Sequence, residues 1–206
     1  MQKRFMEYLP RYLPNANHEA LDQLNEFLFM LRKWNKTYNL TTITTTQAMV
    51  IRHILDSLAA DPFIKGDNIA DIGSGAGLPG IPLAIMNPET QFFLVDNNNK
   101  KTRFLKQAII KLQLHNAEVI HERAEDFTVP VAMDTVVCRA FGNLAEFAEK
   151  SKHLTHTNSL YLALKGVYPL LELELVPEDI LVKNIHQVEV EDLDAERHIV
   201  EMVNAK

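Results

Sequence analysis

Residues Asp71 to Gly80 read Asp-Ile-Gly-Ser-Gly-Ala-Gly-Leu-Pro-Gly. Four of the chain's seven glycines, Gly73, Gly75, Gly77 and Gly80, stand in this short stretch, so the backbone there must turn tightly or lie bare against something. The run Asn68-Ile69-Ala70-Asp71-Ile72 reads as a buried strand, and Leu78, Ile81, Leu83, Ala84 and Ile85 supply an apolar helix face beyond the turn. Strand, glycine turn and helix together bring a ligand against free backbone N–H groups at a helix N-terminus.

Two frames fit these glycines. Gly75-x-Gly77-x-x-Gly80 matches the dinucleotide fingerprint, with Asp96 as the expected ribose-binding acid, and would make the chain an NAD-linked oxidoreductase. Asp71-x-Gly73-x-Gly75-x-Gly77 resembles motif I of the class I S-adenosylmethionine-dependent methyltransferases. A carboxylate at Asp71 suits a ligand that carries an ammonium and a sulfonium, and it repels a pyrophosphate. Asp71 therefore favours the second frame. Asp96 follows a second buried strand, Phe92-Phe93-Leu94-Val95, and is expected to accept from both ribose hydroxyls in either frame. The plain alternative is a tight turn with no ligand.

At 206 residues the chain suits one domain with an N-terminal elaboration, and its apolar share of 47% and charged share of 23% are those of an ordinary globule. The single cysteine, Cys138, excludes an internal disulfide and a Cys-x-x-Cys metal site and fits a reducing compartment. No apolar run approaches membrane length, so a cytoplasmic location without membrane or metal is expected. The net charge of −6 is unevenly spread. Residues 171–206 carry three Lys/Arg against ten Asp/Glu, whereas Lys100, Lys101, Arg103, Lys106 and Lys111 cluster on one expected helix. Polyanion binding follows local potential, so that face could attract RNA; a solvated helix face is the simpler account of the charges alone.

Leu21, Leu24, Leu28 and Leu31 predict an amphipathic helix capped by Asn17, ending before Asn39-Leu40-Thr41-Thr42. A second helix from about Thr46 places Val50, Ile51, Ile54, Leu55 and Leu58 on one face and Arg52 and Asp56 on the other. Strands ending near Ile72, Asp96, Ile120, Cys138 and Leu164 alternate with helices at 79–86, 98–113 and 143–152, which predicts a doubly wound parallel sheet. Ile180–Val190 and Arg197–Val203 read as a closing antiparallel hairpin.

Further strings narrow the match. They include Trp34-Asn35-Lys36-x-Tyr38-Asn39-Leu40-Thr41, Arg52-His53-Ile54-Leu55-Asp56-Ser57, Leu78-Pro79-Gly80, Arg123-Ala124-Glu125, Arg139-Ala140, Leu164-Lys165-Gly166 and Glu196-Arg197-His198. Together these closely resemble the RsmG (GidB) family of bacterial small-subunit ribosomal RNA methyltransferases, over nearly the whole chain. The resemblance implies a class I methyltransferase domain at 60–206, with a Rossmann-like seven-stranded sheet, behind a helical extension at 1–59. It implies S-adenosyl-L-methionine as cofactor and transfer of its methyl group to N7 of a guanine in 16S ribosomal RNA, either free or in a small-subunit particle. A monomer is the favoured state, and a non-catalytic S-adenosylmethionine-dependent RNA- or protein-binding module is the alternative.

The resemblance further implies cofactor contacts from Gly73, Leu78, Ala124, Glu125 and Arg139, beside Gly75, Gly77 and Asp96 read from the glycine frame. Arg139 is expected to orient the methionine carboxylate or the incoming guanine. Arg52, His53, Lys100, Lys101, Arg103, Lys165 and Arg197 are the residues expected to meet RNA. No general base is nominated, because guanine N7 has an in-plane lone pair and no proton. His53, Asp56 and Ser57 lie on one short helix and do not suit a hydrolase triad, and Cys138 reads as core filling. Trp34, Tyr38 and Phe141 could stack on a splayed base, although Trp34 continues the leucine stripe and suits the core.

Overall fold

In β1 (Asn68–Ile72) successive side chains enter different cores: Ile69 joins one apolar cluster, while Ala70 and Ile72 join the other. Period-two alternation across a doubly covered sheet produces this division. The computed structural model describes residues 5–129 and 131–205. Among them, β1 is joined by β2 (Gln91–Val95), β3 (Ala117–Ile120), β4 (Met133–Arg139), β5 (Thr155–Lys165), β6 (Ile180–Gln187) and β7 (His198–Asn204). They form one sheet in the order β3-β2-β1-β4-β5-β7-β6. The pairings from β3 through β5 are parallel, and β7 runs antiparallel to both β5 and β6. This is the α/β architecture with a closing antiparallel hairpin that the alternation of elements predicts.

The helices are α1 (Leu9–Tyr12), α2 (His18–Tyr38), α3 (Thr46–Met49), α4 (Asp56–Leu58), α5 (Gly80–Met86), α6 (Asn99–Leu112), α7 (Leu144–Ser151) and α8 (Leu170–Leu173). Asn17 caps α2 by accepting from Ala20 N at 2.8 Å, and Asn39 ends it in the left-handed conformation at φ 50°. The leucine stripe of α2 is buried in the same cluster as Phe104 and Leu105 of α6 and Ile81 and Leu83 of α5. The N-terminal helices thus share a core with one face of the sheet. Trp34 sits edge-on to Phe104 at 5.6 Å and beside Tyr38 at 5.1 Å, so it serves packing.

One segment departs from the expected pattern. The helix from Thr46 is not a continuous α-helix: Val50–Leu55, between α3 and α4, is a π-helical turn. Asp56 N donates to Ile51 O, five residues back. The wider turn changes which side chains share a face, and π turns of this kind cluster at functional sites.

Candidate functional site

The sheet reverses direction between β1 and β4: the chain moves outward through β2 and β3, then returns to the other side of β1. Ligands of open α/β sheets sit outside the carboxyl ends of the strands at such a switch point. Two clefts open there. One, of about 210 Å³, is lined by Gly73, Asp96, Asn97, Lys101, Ala124, Glu125, Phe141 and Lys150 among others. The second, of about 390 Å³, is lined by Ile43, Arg52, His53, Asp56, Arg139, Lys165 and Arg197 among others. Ala140, directly after β4, borders both clefts and holds φ at 58°, a sparsely populated region for a residue with a Cβ.

The glycines of the loop have different tasks. A Cβ on Gly73 would lie 2.4 Å from the Phe141 ring, one on Gly77 2.6 Å from Ile81, and one on Gly80 2.3 Å from Leu94. These three admit close packing. A Cβ on Gly75 would meet Gly73 O at 3.7 Å and Lys101 Nζ at 3.9 Å, beside the first cleft. Gly75 also holds φ at +61°, where glycine is at ease. Gly77 and Leu78, expected among the ligand contacts, turn the other way: Leu78 is buried in the α2–α5–α6 core and Gly77 backs onto Ile81 and Leu105.

Asp71 is also placed differently from its expected role. Its side chain is completely buried, and Oδ2 accepts from Ser74 Oγ at 2.6 Å and from Gly80 N at 2.9 Å. It staples the loop to the start of α5 from behind, away from any ligand in the cleft. Among the described residues Oδ1 has no partner, and burial pushes the carboxyl up to about 6. The unfolded chain releases this proton at ordinary carboxylate pH while the folded chain still holds it. The stability that Asp71 contributes is therefore fully present below pH 4 and is lost as pH rises through 6. Asp71→Asn should remove a loss of roughly 3 kcal/mol between pH 4 and 7, relative to wild type. Urea titrations of both proteins across that range check this; parallel pH profiles would show that Asp71 is not the titrating group.

Asp96, at the end of β2, accepts from Gly75 N at 2.9 Å through Oδ2 and from Asn98 N at 2.8 Å through Oδ1. Each oxygen keeps a second acceptor position. Lys101 Nζ stands 3.6 Å away, so this lysine lines the cleft and is not simply part of the basic helix face. Ala124 and Glu125 close the same cleft after β3, and Glu125 pairs with Arg123 at 3.6 Å. Lys100 and Arg103 project from the exposed face of α6 and line neither cleft.

The second cleft is built on charge. Arg139 Nη1 donates to Asp56 Oδ2 at 3.1 Å and to the Arg52 carbonyl at 3.0 Å, and Arg197 Nε donates to Asp56 Oδ1. Arg139, expected to orient the methionine carboxylate or the incoming guanine, thus lines this neighbouring pocket and not the first cleft. His53 is buried and held through both ring nitrogens: Nδ1 faces the Arg52 carbonyl at 3.2 Å and Nε2 the Thr41 hydroxyl at 3.0 Å. A carbonyl only accepts, so Nδ1 carries the proton and Nε2 accepts from Thr41. Burial first, then the Arg139 charge, lowers His53 to about 4, which keeps it neutral and unable to attract phosphate as a cation. Thr41 is itself set by Asn35 Oδ1, which takes its N–H at 2.8 Å, so the Trp34–Thr41 string acts at one remove. Lys165 lines the pocket, but its charge is engaged by Glu172 at 2.6 Å. Cys138 is buried and its thiol is pushed far up by burial, so it is no nucleophile.

The structure brings Gly73, Asp96, Ala124 and Glu125 to the first cleft and places Arg52, His53, Arg139, Lys165 and Arg197 at the second, so Arg139 stands apart from the other residues expected at the cofactor. The sequence does not reveal Asp56 as the anion between two arginines, nor Lys101 and Lys150 as cleft residues. The Asp56 spacing from Arg52 was visible, but its partners lie 83 and 141 residues away. Among the described residues no cluster of three or more His, Cys, Asp or Glu could hold a metal, and no helix is long and apolar enough to cross a membrane.

Residues 20–200 match the GidB family, described as rRNA small subunit methyltransferase G. The chain is similar to "Ribosomal RNA small subunit methyltransferase G" of Laribacter hongkongensis, 47% identical over 87% of this chain and 86% of that one. It is likewise similar to the protein of that name from Neisseria gonorrhoeae, 44% identical over 91% of this chain and 90% of the relative. Among solved structures, a SAM-dependent methyltransferase from Aquifex aeolicus superposes with a TM-score of 0.58 at 19% identity, over 76% of this chain and 93% of that one. That last likeness is one of fold.

Proposed function

The chain belongs to the family of rRNA small subunit methyltransferase G, and from that premise we propose that it methylates N7 of a guanine in 16S ribosomal RNA. S-adenosylmethionine is the donor, and it supplies a methyl group already activated on a positively charged sulfur. In the same reading the enzyme works in the cytoplasm, as a monomer, on 16S RNA or a small-subunit particle.

The observation that carries this reading is the pair of clefts meeting at Ala140. The first fits the donor by the chemistry of its walls: the bare backbone of Gly73, and a buried carboxylate with spare acceptor positions at the end of β2. Gly73, Gly75, Asp96, Ala124 and Glu125 would hold it there, with the adenine edge toward Ala124 and Glu125. The second cleft takes the acceptor. Guanine N7 carries an in-plane lone pair and no proton, so the protein needs no base; it must align the reacting groups and exclude other geometries. N7 becomes cationic as the methyl arrives, so Arg139 and Arg197 cannot stabilise that atom. They would grip phosphate or the guanine O6 edge instead, acting by position. Lys100 and Arg103 on α6 add attraction that is not sequence-specific and that weakens with salt.

Tritiated-methyl transfer to RNA from cells lacking this protein, followed by mapping of the modified nucleotide, tests the proposal. A product methylated on carbon or on an exocyclic amine refutes the mechanism. Asp96→Ala tests the donor assignment. It removes a charged acceptor from the ribose position and also frees Gly75 N, so affinity for S-adenosylmethionine should fall by roughly 10- to 150-fold, or about 1.5–3 kcal/mol. Calorimetry on a folded variant reads this directly, and undiminished affinity would place the ribose elsewhere.

A further inference from the structure

Asp56 lines the second cleft, but both of its carboxylate oxygens are taken by arginines. We propose that Asp56 is the positioning residue of the acceptor pocket, its single carboxylate fixing the guanidinium groups of Arg139 and Arg197 in the orientation in which they meet the RNA. The inference rests on the reading of the second cleft as the acceptor site.

Three segments distant in sequence meet at this carboxylate. Asp56 opens α4, Arg139 ends β4, and Arg197 immediately precedes β7. The Asp56 side chain is only 8% exposed, and its two oxygens are divided between the two arginines. Arg139 has a second anchor, the Arg52 carbonyl inside the π-helical turn, on the same Nη1 that meets Asp56. One corner of that guanidinium is therefore held from two sides, which sets the plane of the rest. Arg197 Nη1 donates to the Glu196 carbonyl, so it too is held at two points.

The physical need for such an anchor is plain. Two guanidinium groups at one pocket repel each other, and burial works against the Arg139 charge while Asp56 supports it. Fully paired, the group is rigid; stripped of its anion, it leaves two cations free to splay or to take a phosphate in the wrong place. Attack by N7 requires alignment of nucleophile, methyl and sulfur, so misplacement reduces turnover more than it reduces RNA affinity.

The test compares Asp56→Asn with wild type at saturating S-adenosylmethionine on 16S RNA. Asp56→Asn should lower kcat at least about 30-fold, change KM for RNA less than about threefold, and bind S-adenosylmethionine within about twofold of wild type. Asp56→Glu keeps the charge and should recover kcat at least about fivefold over Asp56→Asn, while staying about fivefold or more below wild type. Should Asp56→Asn fail to fold, Asp56→Glu decides alone through that fall in kcat at unchanged cofactor affinity. Arginine side-chain NMR supplies a readout that needs no substrate: the Arg197 Nε–H, now bonded to Asp56, should exchange with solvent about tenfold faster in either variant. A wild-type kcat in a folded variant, a loss confined to KM, or unchanged Arg197 exchange overturns the proposal. If the wild-type protein itself methylates no ribosomal RNA, the acceptor reading falls, and the exchange rates still decide whether Asp56 fixes the guanidinium groups.

Discussion

Arg139→Ala should lower methyl transfer to small-subunit ribosomal RNA by roughly 100- to 1,000-fold, the range found when one preorganised hydrogen-bond donor is removed from a reacting site. The side chain is 20% exposed and bridges Asp56 and the Arg52 carbonyl at the mouth of the second cleft. Its removal takes a cation from the pocket and also frees the π-helical turn from the end of β4. Cofactor affinity should hold within a few-fold, because the donor cleft is lined by other side chains. The pH dependence of the residual rate should match wild type, since Arg139 moves no proton and His53 beside it is already neutral near pH 7. Single-turnover rates across pH 6–9, with calorimetry in parallel, read all three quantities. A wild-type rate in the variant would mean that the arginine serves only to join α4 to β4.

Gly75→Val should reduce affinity for S-adenosylmethionine by about 100-fold or more, combining side-chain intrusion with backbone strain of about 1–3 kcal/mol. Space alone does not forbid the substitution in the free protein, because the Cβ would meet only ordinary contacts. Two other features do. The φ of +61° is a conformation that β-branched residues very rarely adopt, and the added side chain would stand against Lys101, which lines the cleft. Relaxing the strain would also withdraw Gly75 N from Asp96. The same substitution at Gly77 or Gly80 would strike Ile81, or Leu94 and Asp71, and would report on folding instead of binding. Calorimetry on Gly75→Val, with a melting curve to show that it is folded, checks the prediction; unchanged affinity would move the donor away from this loop.

The residues whose structural roles differ from expectation share a cause. Asp71 and Asp96 both stand at strand ends beside the glycine loop, and both look available to a ligand in the sequence. Asp71 lies on the Ile69 side of β1, under the first turn of α5, where Ser74 and Gly80 take it. Asp96 faces the cleft. Strand position alone cannot separate the two, because direction depends on which helix covers which face. Lys165 has the charge to meet RNA, but Glu172 from the following segment holds it. His53 has the side chain of an RNA contact, but burial makes it neutral. Charge type is written in a sequence; charge partner is not.

By itself, the sequence determined the order of strands and helices, the glycine loop after β1, the Asn17 cap and the antiparallel closing hairpin. Each is a consequence of short-range rules: a two-residue period for strands, a 3.6-residue period for α2, and bare backbone at clustered glycines. The tertiary structure alone decided that Arg139 and Arg197 share one carboxylate, that the Thr46–Leu58 segment widens into a π turn to present Asp56 to them, and that Ala140 separates two clefts. Those features require residues far apart in the chain to meet where β4 returns beside β1. Their energies depend on burial and on opposed charges across that junction, and no local pattern encodes either.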